Sequence, residues 1–223
     1  MVSDTGPAQD ADEPFDVLRA DGTHTGLVKP RGEVHCDGDW HRAIHVWVAG
    51  MDETGSPFLM VQRRSPRKDT WPDRYDATVG GHYRAGETLP ETLREIDEEI
   101  GVSADLTALR PLGVRLCANE RERGIIDREI QDVFLLRDDR PLAGFRPNPS
   151  ELAALVRFPI DALLPFLAGE TATVAGSSIA PGYARSEPVT AHEADFIPTI
   201  DRYFLRVAIA ARNVLRGDRY VAI

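Results

Sequence analysis

Four glutamates, Glu91, Glu95, Glu98 and Glu99, stand in the stretch GGHYRAGETLPETLREIDEEIGV that runs from Gly80 to Val102. At about 100° per residue, a helix through this stretch gathers all four within about 100° of one another and turns Leu89, Leu93, Ile96 and Ile100 to the opposite face. Its start is marked twice. Thr88 and Glu91 have the spacing of a capping box, and Pro90 falls in the first turn, where its missing N–H is tolerated. Carboxylates packed side by side repel, at about a few tenths of a kcal/mol per pair in an isolated helix. Such a face is either plainly solvated or offset by cations. Hard oxygen ligands suit Mg²⁺ or Mn²⁺, which carboxylate sites hold together with water and substrate phosphate oxygens. The whole chain poses the same question, because 36 acidic against 26 basic side chains leave a formal net charge of −10. A surface of that sign repels nucleic acid and free phosphates. Any phosphate-bearing ligand must therefore meet a local basic cluster or metal cations.

The flanks of the acidic helix narrow the choice. Arg94-Glu95-Ile96-x-Glu98-Glu99-x-Gly101-Val102 and, upstream, Gly81-x5-Glu87 match the two halves of the Nudix box, Gly-x5-Glu-x7-Arg-Glu-U-x-Glu-Glu-x-Gly-U with U aliphatic. The chain thus resembles the Nudix superfamily, with one departure: six residues, 88–93, separate Glu87 from Arg94 instead of seven. The shortening falls at the loop-to-helix junction, so it leaves Glu95, Glu98 and Glu99 unrotated relative to one another and bears on Glu87 alone. The resemblance implies that Glu95, Glu98 and Glu99, with Glu87, bind Mg²⁺ or Mn²⁺. It also implies that Glu95 and Glu98 serve catalysis and that a water displaces one phosphoryl group of a diphosphate. Arg94 is expected to orient the carboxylates by ion pairing.

A second resemblance covers more of the chain. Phe15-Asp16-Val17-Leu18, Thr25-Gly26, Lys29, His35, Trp40-His41-Arg42-Ala43, Gln62-Arg63-Arg64-Ser65, Trp71-Pro72 and Val79-Gly80-Gly81-His82 look like the isopentenyl diphosphate isomerase branch of that superfamily. In that branch, three histidines and two acidic residues bind metal and move a proton; the matching positions are His35, His41, His82, Asp127 and Glu129. The branch's catalytic cysteine falls on Gly80, and the only thiols, Cys36 and Cys117, lie on other segments. Isomerisation needs acid/base groups on both faces of an alkene, and glycine supplies none. Each histidine, taken singly, also fits a packed or solvated polar residue of a strand. Arg63 and Arg64 end a strand and can be solvated, or one of them can meet a diphosphate with bidentate geometry. Trp71, Tyr75 and Tyr83 are expected to pack around the 66–76 loop, with stacking on a base or lining a pocket as the alternative.

These groups need a scaffold. With 42% hydrophobic and 28% charged residues in 223, the chain is composed as one folded domain with an appended helix. We expect a disordered leader over 1–14 and a Nudix domain over 15–168. A long loop over 169–195 and a C-terminal helix packed within 196–223 follow. Strands are expected at 15–18, 26–28, 40–50, 58–63, 77–82, 112–117, 129–136 and 152–158, and helices at 91–100, 161–167 and 200–215. The last helix carries Ile200, Phe204, Val207, Ala211 and Leu215 on one stripe, to be covered by its own domain or by a second copy in a homodimer. Mixed strands around a central helix indicate an α/β (α+β) protein, a Nudix-type α/β/α sandwich with a mixed central sheet. No apolar run approaches the roughly 18 residues that span a bilayer, and the acidic N-terminus lacks a signal-peptide pattern, so no membrane association and a cytoplasmic location are the default. Two cysteines are too few for a disulfide framework. The expected function is a Mg²⁺-dependent hydrolase of a small-molecule diphosphate, with isomerase-like chemistry or ligand binding without catalysis as the alternatives. Specificity is expected to reside in 66–76, 119–126 and 169–195.

Overall fold

The computed structural model describes residues 9–122 and 125–223. Of the expected leader, residues 1–8 lie outside this range, and Pro14 already belongs to the first strand. That strand, β1 (Pro14–Leu18), forms a hairpin with β2 (His24–Pro30) through a turn in which Gly22 adopts φ 85°. A short helix then appears where none was expected: α1 (Arg31–Asp37), entered through Pro30 and ended by Gly38 at φ 69°. Both boundaries carry sequence signals, a proline that sets the entry and a glycine that adopts the left-handed exit.

The long strand β3 (Trp40–Met51) organises the rest. It pairs antiparallel with β4 (Pro57–Arg64) at its far end and with β6 (Val79–His82) at its near end, and parallel with β8 (Ile125–Arg137) throughout. β5 (Tyr75–Asp76) adds to β4, and β7 (Leu109–Glu122) adds to β8. Beyond β4 the sheet continues through β9 (Leu152–Pro159), β10 (Thr173–Ile179) and β11 (Glu187–His192). The segment 169–195 is therefore a hairpin extending the sheet rather than a loop. Its Gly176 and small neighbours, which read as loop composition, let it lie against β9. A Cβ at Gly176 would stand 2.5 Å from the Arg157 carbonyl and 2.7 Å from the Phe158 ring.

Alternation along β3 divides the core in two. Trp47 and Ala49 pack against α4 (Ile160–Leu167) and α5 (Tyr203–Leu215), while Ile44, Val46 and Val48 pack on the other face against Leu93, Ile96 and Ile100. This is the expected mixed α+β sandwich. The expected 91–100 helix is two pieces, α2 (Leu89–Thr92) and α3 (Arg94–Ile100), which meet at Leu93, where ψ is −11°. The C-terminal helix begins at Tyr203, not at 200. Arg202 adopts φ 52°, and Ile200 is fully exposed, so the buried stripe starts at Tyr203 and Phe204. Among the described residues no helix is long and apolar enough to cross a membrane.

Candidate active site

Strand register assembles the first group of site residues. His41 on β3 lies opposite Glu129 on β8, Ala43 opposite both Gln131 and His82, and His45 opposite Gly80. Because side chains two apart share a face, His41, His45, Gly80, His82, Glu129 and Gln131 all belong to the face that carries Trp47. α1 delivers His35 to the same place. The rings of His35, His41 and His82 lie 5.0 to 6.0 Å apart, with Phe15 stacked 5.3 Å from His41 and 5.0 Å from His82.

The geometry of this group fits a cation. His35 Nε2, His41 Nε2 and Asp127 Oδ1 are buried and, among the described residues, have no hydrogen-bond partner. The two imidazole nitrogens stand 3.8 and 3.6 Å from the Asp127 oxygen, too far to bond it directly. Orphaned buried polar atoms are costly, so three converging on one point call for a shared partner. Burial pushes His35 down to about 3 and His41 to about 4, which keeps both rings neutral and their lone pairs available. Burial also raises the Asp127 carboxyl, helped by the Glu129 charge. Glu129 goes the other way: burial would raise it, but the His82 hydrogen bond at 3.0 Å and the surrounding imidazoles hold it well below the carboxylate range. Among the described residues, the two side-chain sets close enough to hold one ion are His35–His41–His82 and His41–Asp127–Glu129.

The acidic box forms a second group, on the other side of β6. Arg94 gathers it: Nε meets Glu87 Oε1 at 2.9 Å, and Nη1 meets Glu95 and, at 3.0 Å, Glu98 Oε2. The shortened box brings Glu87 onto Arg94, where it also accepts from the Arg84 amide at 2.9 Å. Glu91 is absent from this ring. Its carboxylate accepts from the Thr88 amide and hydroxyl at 2.8 and 2.6 Å, completing the capping box. Glu95 lies flat against Gly81, where a Cβ would come within 2.4 Å of its side chain. Burial raises the Glu95 carboxyl to about 7 against the opposing pull of Arg94. Glu99 points inward, accepting from Gln62 Nε2 at 3.1 Å and lying 3.4 Å from the Gly80 amide. It too is raised by burial, against the Lys68 charge. Only Glu98 is half exposed.

The two arginines at the end of β4 part company. Arg63 is exposed and pairs with Asp73 at 3.1 Å, whereas Arg64 is buried in the wall of the cavity beside Gly80 and His82. Arg64 is held there by Thr70 O at 2.9 Å and Asp76 at 3.0 Å. Trp71 lines the same cavity; Tyr75 packs on Phe158 and Phe196, and the Tyr83 hydroxyl donates to Asp132 at 2.7 Å. Cys36 is exposed on α1. Cys117 faces the cavity from β7, opposite Glu129, with burial pushing its thiol up to about 12. Arg31, His45, Arg115 and Tyr203 are among the residues of this wall that escaped sequence reasoning. His45 had one signal, a histidine in the otherwise apolar run that ends WVAG. The expected specificity loop 119–126 is mostly strand, and its residues 123–124 lie outside the described range.

A model of the NUDIX domain matches residues 39–175. The chain is similar to Nudix hydrolase 3 of Arabidopsis thaliana, 40% identical over 165 residues, 72% of this chain and 21% of that protein. It is similar to an uncharacterized Nudix hydrolase of Clostridium acetobutylicum, 34% identical over 140 residues, 62% of this chain and 66% of that one. The matches thus span about a fifth and just under two thirds of those relatives' lengths. An isopentenyl-diphosphate Delta-isomerase of Rhizobium rhizogenes is 29% identical over 158 residues, 67% of this chain and 69% of that protein. Among solved structures, a Deinococcus radiodurans protein superposes with a TM-score of 0.51 at 24% identity, over 70% of this chain and 90% of that one, which shows the shared fold.

Proposed function

The chain belongs to the NUDIX domain family, and from that premise we propose that it is a divalent-cation-dependent hydrolase. Its substrate would be a nucleoside diphosphate linked to another moiety, or a related organic diphosphate, cleaved at the phosphoanhydride. The observation that carries this reading is the complete carboxylate ring, Glu87, Glu95 and Glu98, held on the single guanidinium of Arg94. A binding module has no need to keep such a repulsive cluster. Glu95, Glu98 and Glu99, with Glu87, would hold Mg²⁺ or Mn²⁺, and the donor set of His35, His41, His82, Asp127 and Glu129 suits a borderline cation. A bound cation neutralises diphosphate charge and eases attack by water at phosphorus. On the box side of β6, Arg94 fixes the directions of the carboxylates; in the cavity on its other side, Arg64 presents its guanidinium to phosphate oxygens and Glu129 stays ionised to accept a proton. The net charge of −10 supports a small-molecule substrate reached through cations and disfavours a nucleic-acid partner.

One observation favours a second reading. In its support, the triads His35–His41–His82 and His41–Asp127–Glu129, drawn from the residues that the isomerase resemblance implies, each lie close enough to hold an ion. Against an isomerase stands Gly80, which offers no acid/base group where the thiol is expected. Incubation with Mg²⁺ and a panel of nucleoside diphosphate sugars, dinucleoside polyphosphates, NADH, nucleoside triphosphates and isopentenyl diphosphate separates the two. Hydrolysis of a phosphoanhydride supports the first reading. Accumulation of dimethylallyl diphosphate supports the second, and no reaction with any compound rejects both.

A further inference from the structure

We propose that His45 contacts the substrate: its imidazole carries its hydrogen on Nε2 and donates it to an oxygen of the bound diphosphate compound, in the space left open by Gly80. The inference rests on the hydrolase reading for the identity of that compound, and on three contacts for the rest.

The hydrogen-bond inventory around Tyr203 fixes the tautomer. The Trp47 indole N–H is a donor only, and it reaches the Tyr203 hydroxyl oxygen at 2.9 Å. That hydroxyl is buried and must place its own hydrogen on an acceptor. Among the described residues its one other partner is His45 Nδ1, at 3.1 Å. Tyr203 therefore donates to Nδ1, which must be unprotonated, and a neutral ring then carries its hydrogen on Nε2. The reverse assignment, Nδ1–H donating to Tyr203, would leave the phenol hydrogen buried without an acceptor. Burial holds the ring neutral.

Nε2 is aimed at the site. Among the described residues it has no hydrogen-bond partner, and it lies 3.7 Å from the point a Cβ on Gly80 would occupy. Among the described residues nothing else crowds that point, and Gly80 has no left-handed φ that would demand glycine. The missing side chain therefore clears a path to Nε2 from the cavity that His82 and Glu129 also line. The Nε2 donor faces that cavity, and the diphosphate oxygens are the acceptors the site is proposed to bring there.

The test reads the tautomer and the contact directly. In ¹⁵N-histidine-labelled protein, the His45 resonances should report an Nε2–H tautomer, and the Nε2 signal should move on saturation with Mg²⁺ and methylenediphosphonate, a non-hydrolysable probe. Tyr203→Phe should mix the tautomers. His45→Phe should raise the dissociation constant of the probe, and the KM of any substrate cleaved, by about tenfold, and His45→Gln, which keeps a donor, should recover most of that loss. An Nδ1–H tautomer overturns the proposal, as does a probe that binds by calorimetry and leaves Nε2 unmoved. If no phosphoanhydride is cleaved yet Nε2 moves on probe binding, the hydrolase reading fails and this contact stands. If the probe does not bind at all, both fail.

Discussion

Gly81 is the smallest participant in the site and the most tightly constrained. A Cβ there would come within 2.4 Å of Glu95, and a carboxylate with its Arg94 partner in place has nowhere to retreat. Gly81→Ala should therefore cost about a hundredfold in turnover by displacing Glu95, while far-ultraviolet circular dichroism stays native. Turnover within threefold of the parent protein would show that Glu95 does not need this position. The histidines make a different prediction, about stability. Their pKa values are depressed, to about 3 for His35 and about 4 for His41, so the unfolded chain takes up protons below its ordinary imidazole range while the folded chain refuses them. Their contribution to stability is thus intact above about pH 6.5 and is lost as pH falls toward 4. Glu95, raised to about 7, pulls the total the opposite way over part of that range, so the contribution must be read by difference. Without added metal, denaturant titrations should show the wild type losing more stability than His35→Gln between pH 6.5 and 4. Parallel losses would contradict the burial of a neutral His35.

At the scale of elements, legibility followed locality. The acidic box was readable because helical spacing is local: capping box, apolar face and carboxylate ring are all fixed within 87–101, and only the break at Leu93 went unread. The imidazole cluster has no local signature. Its members come from α1, β3, β6 and β8, brought together by the parallel register of β3 on β8 and the antiparallel register of β3 on β6, and it was found only through resemblance. His45 and Tyr203 were invisible for the same reason, being 158 residues apart and joined by one hydrogen bond. The β10–β11 hairpin was misread because its small residues serve packing rather than flexibility. Gly176 admits the Phe158 ring, so Gly176→Ala should destabilise the protein by about 1–3 kcal/mol through overpacking, seen as a lower denaturation midpoint. An unchanged midpoint would mean that β10 stands further from β9 than described.

At the scale of the molecule, the sheet has one acidic cluster on each side of β6. Gly81 faces Glu95 across α3, and by alternation Gly80 and His82 face the imidazole cluster and α5. Part of the acidic excess, Glu87, Glu95, Glu98 and Glu99 on one side and Asp127 and Glu129 on the other, thus lies where cations can meet it, and a ligand that binds only the folded state stabilises it by mass action. Mn²⁺ at about a hundred times its dissociation constant should add about 2.7 kcal/mol, raising Tm by several degrees, and His41→Gln should remove much of that gain. A Tm indifferent to divalent cations would leave the orphaned His35, His41 and Asp127 atoms unexplained. The central claim concerns chemistry, and one comparison reaches it most directly: the initial rate of phosphoanhydride cleavage in Mg²⁺ by the wild type, Glu98→Gln and Glu99→Gln, on the compound the wild type cleaves fastest. The account predicts cleavage by the wild type, its loss with chelator, and a fall of about a hundredfold or more in each variant. Cleavage that survives both substitutions would contradict it.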